Sequence, residues 1–368
     1  MAGTTIDLEV VLNPHSLAVE ISNRWSKWSN LRSSKVEEWK ELRNYIYATD
    51  TKTTSNKSLP WTNSTTTPKL TQIADNLHAN YVATMFPQQK WFKFEAYDKD
   101  SNINRKRNVI QAYMENKIRL SNFETTVNNI LNDYIQYGNC FATVDWVNEY
   151  TDMPNGERIV NYVGPKLVRI SPYDIVFNPT ASDFASTPKI IRSLLSLGEL
   201  KRKIDATVNN AYYLDVFDRM MSNRSTVAEV GADSYKSDGF VADGFSSISD
   251  YYESNYVEVL TFYGDIYDGE SGEFFNNRVI TVVDRSYVIF NEQNPSWLGT
   301  APIFHAGWRE RPDNLYAMGP LDNLIGIQYR IDHLENLKAD VFDQIAYPML
   351  KIKGDVEDFD FEPGGRVY

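Results

Sequence analysis

The most constraining feature of the chain is the stretch from Pro320 to Pro348, which reads PLDNLIGIQYRIDHLENLKADVFDQIAYP. A proline is tolerated in the first turn of a helix, and Pro348 cannot continue one. Between the two prolines, apolar residues recur every three or four positions, and Lys338 takes one of the expected places. These apolar residues are Leu324, Ile327, Ile331, Leu334, Val341 and Ile345. The pattern predicts an amphipathic helix about 40 Å long, which is longer than an ordinary domain needs to span its core.

The other face of this predicted helix bears charges of both signs with an acidic excess. Its charged residues are Arg330, Asp332, Glu335, Lys338, Asp340 and Asp343. We expect this face to be solvated. The same pattern is also typical of a long surface helix in an ordinary globular domain. The rest of the chain decides between that interpretation and a helix that extends beyond one domain core.

Length and composition favour several modules and exclude some functions. The chain has 368 residues, more than a single core usually organises. Lys and Arg number 37 against 49 Asp and Glu, which gives a net charge of -12, and no basic stripe predicts tight nucleic-acid binding. The single cysteine, Cys140, excludes an internal disulfide and a thiolate cluster for zinc. With no signal-like N-terminus and no long apolar run, we expect neither secretion nor membrane insertion.

The periodicity predicts an α+β chain that begins with helices. We expect helices over 15–47 with a break near Ser33-Ser34, over 69–86, over 104–120, over 124–137, and over 197–204 with a continuation to Met221. Gly138 has the usual place of a helix C-cap. The residues from 48 to 68 are rich in Thr, Ser and Asn and predict a loop.

Strand patterns follow the helices. An aromatic strand is expected over 91–97, and strands over 141–147 and 159–170 pair as a hairpin across Pro154-Asn155-Gly156. The Ser, Gly and Asp content of 222–250 predicts a mobile loop. Beyond it, 256–267 and 278–290 alternate like two strands of a small β-module.

No residue set predicts catalysis, a metal or a cofactor. The four histidines lie far apart, and Cys140 at the start of a strand is typical of a buried small side chain. The acidic run over 355–362 alternates with apolar residues, which favours a solvated strand over a cation site. A metal-dependent nuclease or glycosidase that uses this run is the alternative from the enzyme class.

Four stretches have sequences that are informative together and in order. They are TQIADNLHANYVATMFPQQKWFKFE at 71–95, DYIQYGNCFATVDW at 133–146, PKLVRISPYDIVFNP at 165–179, and the segment 308–348. The set resembles the portal (head-to-tail connector) proteins of short-tailed bacteriophages. The last stretch is the most specific, because its glycine-proline start and long helix are similar to the second stem helix of that family. Another structural head-tail or baseplate component with a mixed α/β character is the alternative.

The resemblance implies a portal fold with a mixed α/β wing, a long helical stem and a small β-rich clip. It assigns the wing to 1–220, whose end is a candidate first stem helix, a flexible loop to 221–252, the clip to 253–300, a connecting segment and the stem helix to 301–348, and the tunnel loop with the start of a return to the wing to 349–368. The family normally continues into further wing and crown helices.

It also implies a function without enzymatic activity. The family forms a ring, dodecameric, at one capsid vertex of the virion, assembled in the host cytoplasm, and double-stranded DNA passes through it without sequence specificity. Its partners are the terminase large subunit, a tail adaptor or head-completion protein and the major capsid protein. Helix 320–346 would line the channel with the six charged residues named above, and Lys351 and Lys353 would contact DNA from the tunnel loop. An acidic helix face would keep the phosphates from sticking.

Overall fold

The computed structural model describes residues 14–47, 65–87, 92–95, 102–153, 158–206, 216–223, 256–268 and 272–346. Helices and strands both contribute to its cores, so the α+β class is confirmed. The expected loop 222–250, the tunnel-loop residues Lys351 and Lys353 and the acidic run 355–362 lie outside the described residues, apart from the first two residues of that loop.

Seven α-helices are labelled here in the described part of the chain. They are α1 (Pro14–Leu31), α2 (Ser33–Tyr47), α3 (Lys69–Met85), α4 (Ile103–Leu120), α5 (Phe123–Tyr137), α6 (Leu197–Ala206) and α7 (Ile325–Ala346). Residues 216–223 are also helical. The predicted helices are confirmed, including the break between α1 and α2. Of the predicted continuation of α6 to Met221, residues 207–215 lie outside the described part of the chain and residues 216–221 are helical.

In the described ranges, ten strands form three antiparallel sheets. They are β1 (Asn139–Asp152), β2 (Arg158–Ile170), β3 (Ile175–Phe177), β4 (Lys189–Ser196), β5 (Tyr256–Tyr267), β6 (Phe274–Val283), β7 (Tyr287–Gln293), β8 (Ile303–Gly307), β9 (Arg309–Arg311) and β10 (Asn314–Met318). The sheet orders are β3-β4-β5-β6-β7, β2-β1-β8 and β10-β9. The predicted hairpin is confirmed, since β1 pairs with β2 from Phe141↔Ile170 to Asp152↔Arg158.

The five-stranded sheet is covered on both faces. Alternation along β5 directs Leu260 toward α1 and Val259 toward α6, because successive side chains of a strand point to opposite sides. The apolar spacing of α1 places Ile21 and Trp25 on the first face. The strands of the predicted clip therefore share one sheet with β3 and β4, which fall in the predicted wing.

Two predictions about strands are wrong. The aromatic segment is not a strand over 92–95, the part of it that the structure describes. The predicted strand 278–290 is two strands, β6 and β7, joined by a turn in which Asp284 and Arg285 both have positive φ. Glu258 stabilises that turn, because its carboxylate accepts hydrogen bonds of 2.7 and 2.9 Å from the Arg285 guanidinium.

An aromatic core joins the helices to the second sheet. The Trp39 ring of α2 contacts the rings of Tyr137, Tyr173 and Tyr316 edge-on, with centroids 5.4 to 5.9 Å apart. Arg32, at the break between α1 and α2, is buried and donates hydrogen bonds to three carbonyl oxygens of residues 172–175. The break is therefore stabilised by packing against the segment that follows β2.

Candidate functional site

The long helix α7 is anchored at its start. It has 22 residues, about 33 Å at the usual rise, and follows a short 3₁₀ turn at Asp322–Leu324. Asp322 accepts hydrogen bonds from the Gly319 main-chain N–H and from the Lys35 ammonium, both at 2.9 Å. Burial lowers the pKa of Lys35, but the hydrogen bonds to Glu38 and Asp322 outweigh this and raise it. The pair connects α2 to the start of α7.

Along its middle, α7 binds a short extended segment through polar side chains. We call residues 65–67 the strap, and we call Gln328, Asp332, Asn336 and Asp340 the polar row, since they follow one another at four-residue intervals. All four members of the polar row are buried. The row therefore lies against the body of the protein.

Two rungs of hydrogen bonds connect the strap to the polar row. Thr67 N–H donates to Asp332 Oδ1 at 2.8 Å, and Gln328 Nε2 donates to the Thr67 carbonyl at 2.6 Å and to Asp332 Oδ1 at 2.9 Å. Thr65 N–H donates to Asn336 Oδ1 at 2.8 Å, and Asn336 Nδ2 returns a bond of 3.1 Å to the Thr65 carbonyl. Since Thr65 pairs with the later helix residue, the strap runs antiparallel to α7.

The expectation of a solvated acidic face is therefore wrong for two residues. Asp332 is 0% exposed and Asp340 is 7% exposed. The exposed charges on α7 are Arg330, Glu335, Lys338 and Asp343. These include two acidic and two basic side chains, so the exposed part of the helix has no acidic excess. Lining of a channel by the six predicted residues stays a prediction.

The apolar stripe of α7 faces outward. We call Ile327, Ile331, Leu334, Val341 and Ile345 the apolar seam. All of them except Ile331 are exposed, with fractions from 45% for Val341 to 68% for Ile345. Leu334 is two residues from both Asp332 and Asn336, which is about 200° around a helix of 3.6 residues per turn. The seam and the polar row thus lie on opposite sides, and the buried side is the polar one.

A buried junction lies just before α7. Asn139 Nδ2 donates to the carbonyls of Tyr137 and Ala317 at 2.9 and 3.0 Å, and its Oδ1 accepts the Ala317 N–H at 2.8 Å. The same oxygen lies 3.0 Å from His305 Nε2, so the imidazole donates from that nitrogen. Gly138 packs so closely on Gly319 that an added Cβ would meet the Gly319 nitrogen at 2.4 Å.

The aromatic rings around His305 explain its neutral state. Its ring stacks on Phe141 with centroids 4.7 Å apart and lies 5.0 Å from the ring of Phe184. Burial, and secondarily the Lys189 ammonium, lower the pKa of His305 to about 4. Burial also lowers the pKa of Lys189 to about 8, although its Nζ donates to two carbonyl oxygens.

Cys140 and His78, two residues of types that could carry chemistry, pack within the protein. Cys140 is buried, its Sγ lies 3.6 Å from the Ala306 carbonyl, and burial raises the pKa of its thiol to about 11, so it is a poor nucleophile. His78 Nε2 lies 3.3 Å from the Asn128 carbonyl. Within the ranges that the structure describes, no group of three or more His, Cys, Asp or Glu could hold a metal ion.

Sequence reasoning missed the strap and the polar row. Gln328 and Asn336 were not singled out, although a polar residue at every fourth position from 328 to 340 is a visible signal. That signal does not indicate which segment binds the row, because the strap lies about 265 residues earlier in the chain. No helix among the described residues is long and apolar enough to cross a membrane.

The described residues form an α+β protein whose longest helix, α7, directs an apolar face away from its own core, as at sites of association. Residues 18–155, which include most of α1 and all of α2 to α5 and β1, match the family model described as bacteriophage head to tail connecting protein. The match confirms the resemblance and supports a phage head-to-tail connector. A comparison with curated proteins found no match.

Proposed function

We propose that the chain is the subunit of a portal, a ring at one capsid vertex through which double-stranded DNA is packaged and ejected. The observation that carries the proposal is the orientation of α7, whose polar row is buried and whose apolar seam is exposed. A monomer would leave this seam in water. A ring covers it with the next copy, because ring closure brings two different surfaces of neighbouring subunits together.

The spacing of the seam supports packing against another helix or sheet of a second copy. From Ile327 the positions advance by four, three, four, three and four residues to Ile345, with Lys338 at one of them. This is the repeat of helices that pack side by side. Covering the four exposed apolar side chains would contribute on the order of 1 kcal/mol each, since each is about half exposed and full burial is worth about 1.5–3 kcal/mol.

Other exposed apolar surfaces favour assembly as well. Helix α4 has no buried residue, and Val109, Ile110 and Tyr113 are all exposed on it. Trp146 on the β1–β2 hairpin is 65% exposed. Surfaces of this kind are typical of proteins that associate, and a subunit of a closed ring needs at least two of them.

In this proposal α7 is the stem helix, and DNA passes the exposed charges Arg330, Glu335 and Asp343, whereas Lys338 takes a place in the seam. Twelve copies, as the resemblance implies, would form the ring. The terminase large subunit would dock on it during packaging, a tail adaptor would later replace the terminase, and the major capsid protein would surround it. Lys351 and Lys353 would contact DNA from the tunnel loop, and assembly would take place in the host cytoplasm.

The test compares two adjacent substitutions on α7. Leu334→Lys places a charge in the apolar seam, and Glu335→Lys places the same charge about 100° away, at an exposed position outside the seam. Both side chains are more than half exposed in the single chain, so neither change disturbs its core. Mass photometry and negative-stain images should show rings with a central hole for the unaltered chain and for Glu335→Lys, and smaller species for Leu334→Lys.

Two results would contradict the proposal. One is an unaltered chain that stays monomeric at raised concentration with its capsid partners present. The other is a Leu334→Lys chain that forms rings as readily as Glu335→Lys. If rings form, Glu335→Lys should slow DNA translocation in a packaging assay, since it places a positive charge beside the phosphates.

A further inference from the structure

The polar row recognises main chain. Among the described residues, four hydrogen bonds join Gln328, Asp332 or Asn336 to the N–H or carbonyl groups of Thr65 and Thr67. A fifth, from Gln328 to Asp332, fixes the carboxylate oxygen that accepts the Thr67 N–H. Main-chain groups are the same at every residue, so this set of side chains is suited to bind an extended backbone.

The geometry of the two elements matches. Four residues of a helix rise about 6.0 Å. Two residues of an extended segment advance about 6.6–6.8 Å. Because these two spacings are similar, Asp332 can bond to Thr67 while Asn336 bonds to Thr65, as successive residues of two paired strands do. Asn336 binds both the N–H and the carbonyl of Thr65, as a paired strand residue does.

The strap opposes the rotation of α7 that solvation alone would favour, in which the apolar side packs against the rest of the chain and the polar row faces water. Burial of the apolar seam and solvation of Asp332 and Asp340 would both favour turning α7 by about half a turn about its own axis. In the structure the reverse holds, since these two carboxylates are buried and Leu334 is exposed. The hydrogen bonds to the strap form only when α7 has this orientation, so they favour it.

We propose that residues 65–67 are a built-in ligand of the polar row, and that Gln328, Asp332 and Asn336 are positioning residues that fix the rotation of α7 about its axis. The strap keeps the apolar seam outward until a second copy covers it. Binding of the strap does not depend on the proposed function. Its benefit for assembly rests on the proposed ring.

The first experiment measures hydrogen exchange of the Thr65 and Thr67 amides in the full, unassembled chain. Asn336→Leu removes both bonds to Thr65, and the Thr65 amide should exchange at least about fivefold faster, the factor for one lost hydrogen bond of ordinary strength. Asn336→Asp keeps an acceptor for the Thr65 N–H and should preserve its protection. Leu337→Asn, at the next and exposed position, is the matched control and should change neither amide.

The second experiment measures the rotation of the helix. With Cys140 replaced by Ala, a single thiol is placed either on the seam by Leu334→Cys or on the side of the polar row by Ala339→Cys. The thiol at 334 should react faster with a soluble reagent than the thiol at 339, because Leu334 is exposed and Ala339 is partly buried. Adding Asn336→Leu should bring the two rates together, and adding Leu337→Asn should leave them apart.

Unprotected Thr65 and Thr67 amides in the unaltered chain would overturn the inference, as would thiol rates that stay apart in Asn336→Leu after the Thr65 amide has lost its protection. Protected amides and converging rates in a chain that never forms a ring would support the strap and contradict the proposed function alone. The two ideas therefore fail on different measurements.

Discussion

The junction before α7 should lose stability in acid, because His305 is held neutral there. The folded pKa of His305 is about 4, against 6.5 for an ordinary histidine. Between these values the unfolded chain binds a proton that the folded chain does not, so stability falls as the pH is lowered from 6.5 to 4 and the loss is complete below 4. The difference of about 2.5 pKa units corresponds to roughly 3 kcal/mol.

The structure explains why a second proton is costly. Nε2 already donates to Asn139 Oδ1, and the new proton on Nδ1 would place a charge among the rings of Phe141 and Phe184. The Lys189 ammonium adds repulsion. His305→Gln retains an N–H donor for Asn139 and cannot titrate, so it separates the effect of charge from the loss of a hydrogen bond.

The assay is the free energy of unfolding from denaturant titrations at several pH values between 7 and 4, for the unaltered chain and for His305→Gln. The variant is expected to be somewhat less stable at pH 7, because it loses the stacked ring. The gap between the two chains should close or reverse by roughly 3 kcal/mol as the pH falls to 4. Parallel curves across this range would refute the reasoning.

Three further outcomes are expected. Gly138→Ala should lower the free energy of unfolding by at least about 3 kcal/mol or prevent folding, because φ is +67° there and the new Cβ would overlap the backbone of Gly319. Thermal melts measure this loss of stability. Arg285→Met should cost about 3–5 kcal/mol in denaturant titrations because it removes the guanidinium that pairs with the buried carboxylate of Glu258, and adding Glu258→Gln should recover much of that loss. Since Lys189 has a folded pKa of about 8, the free energy of unfolding of the unaltered chain should rise relative to that of Lys189→Met between pH 8 and 10.5.

Local signals made much of this fold predictable. Helix α5 has a strong apolar period and ends at Gly138, whose positive φ is the conformation that glycine adopts without strain. The β1–β2 hairpin follows from alternation on both sides of a Pro-Asn-Gly turn. In both cases the residues that determine the helix or the hairpin lie within it or directly beside it in the sequence.

The turn between β6 and β7 could not be predicted in that way. Asp284 and Arg285 adopt positive φ without a glycine, and the hydrogen bonds that Arg285 donates to Glu258 on another strand stabilise them. A pattern of residues within the turn does not contain that information. The two strands therefore looked like one.

The polar row shows the same limit at the candidate site. From sequence, Asp332 and Asp340 belong to the charged side of an amphipathic helix, and charged sides usually face water. Asp332 is buried where it accepts the hydrogen bond of the Thr67 N–H, and the strap meets the helix only in the folded chain. The apolar seam was correctly located on the helix, but its exposure depends on which side the strap occupies.

The spacing of the seam has a geometric consequence for any ring built through it. A stripe that repeats every seven residues drifts by about 20° per repeat on a straight helix, so two such helices stay in contact only if they wrap around each other with a left-handed inclination. Twelve rods tilted in the same sense around one axis enclose a passage that is narrowest midway along their length. The bore of such a pore would then be set by the angle between adjacent rods, and a small change in that tilt would widen or narrow its waist without unfolding any subunit.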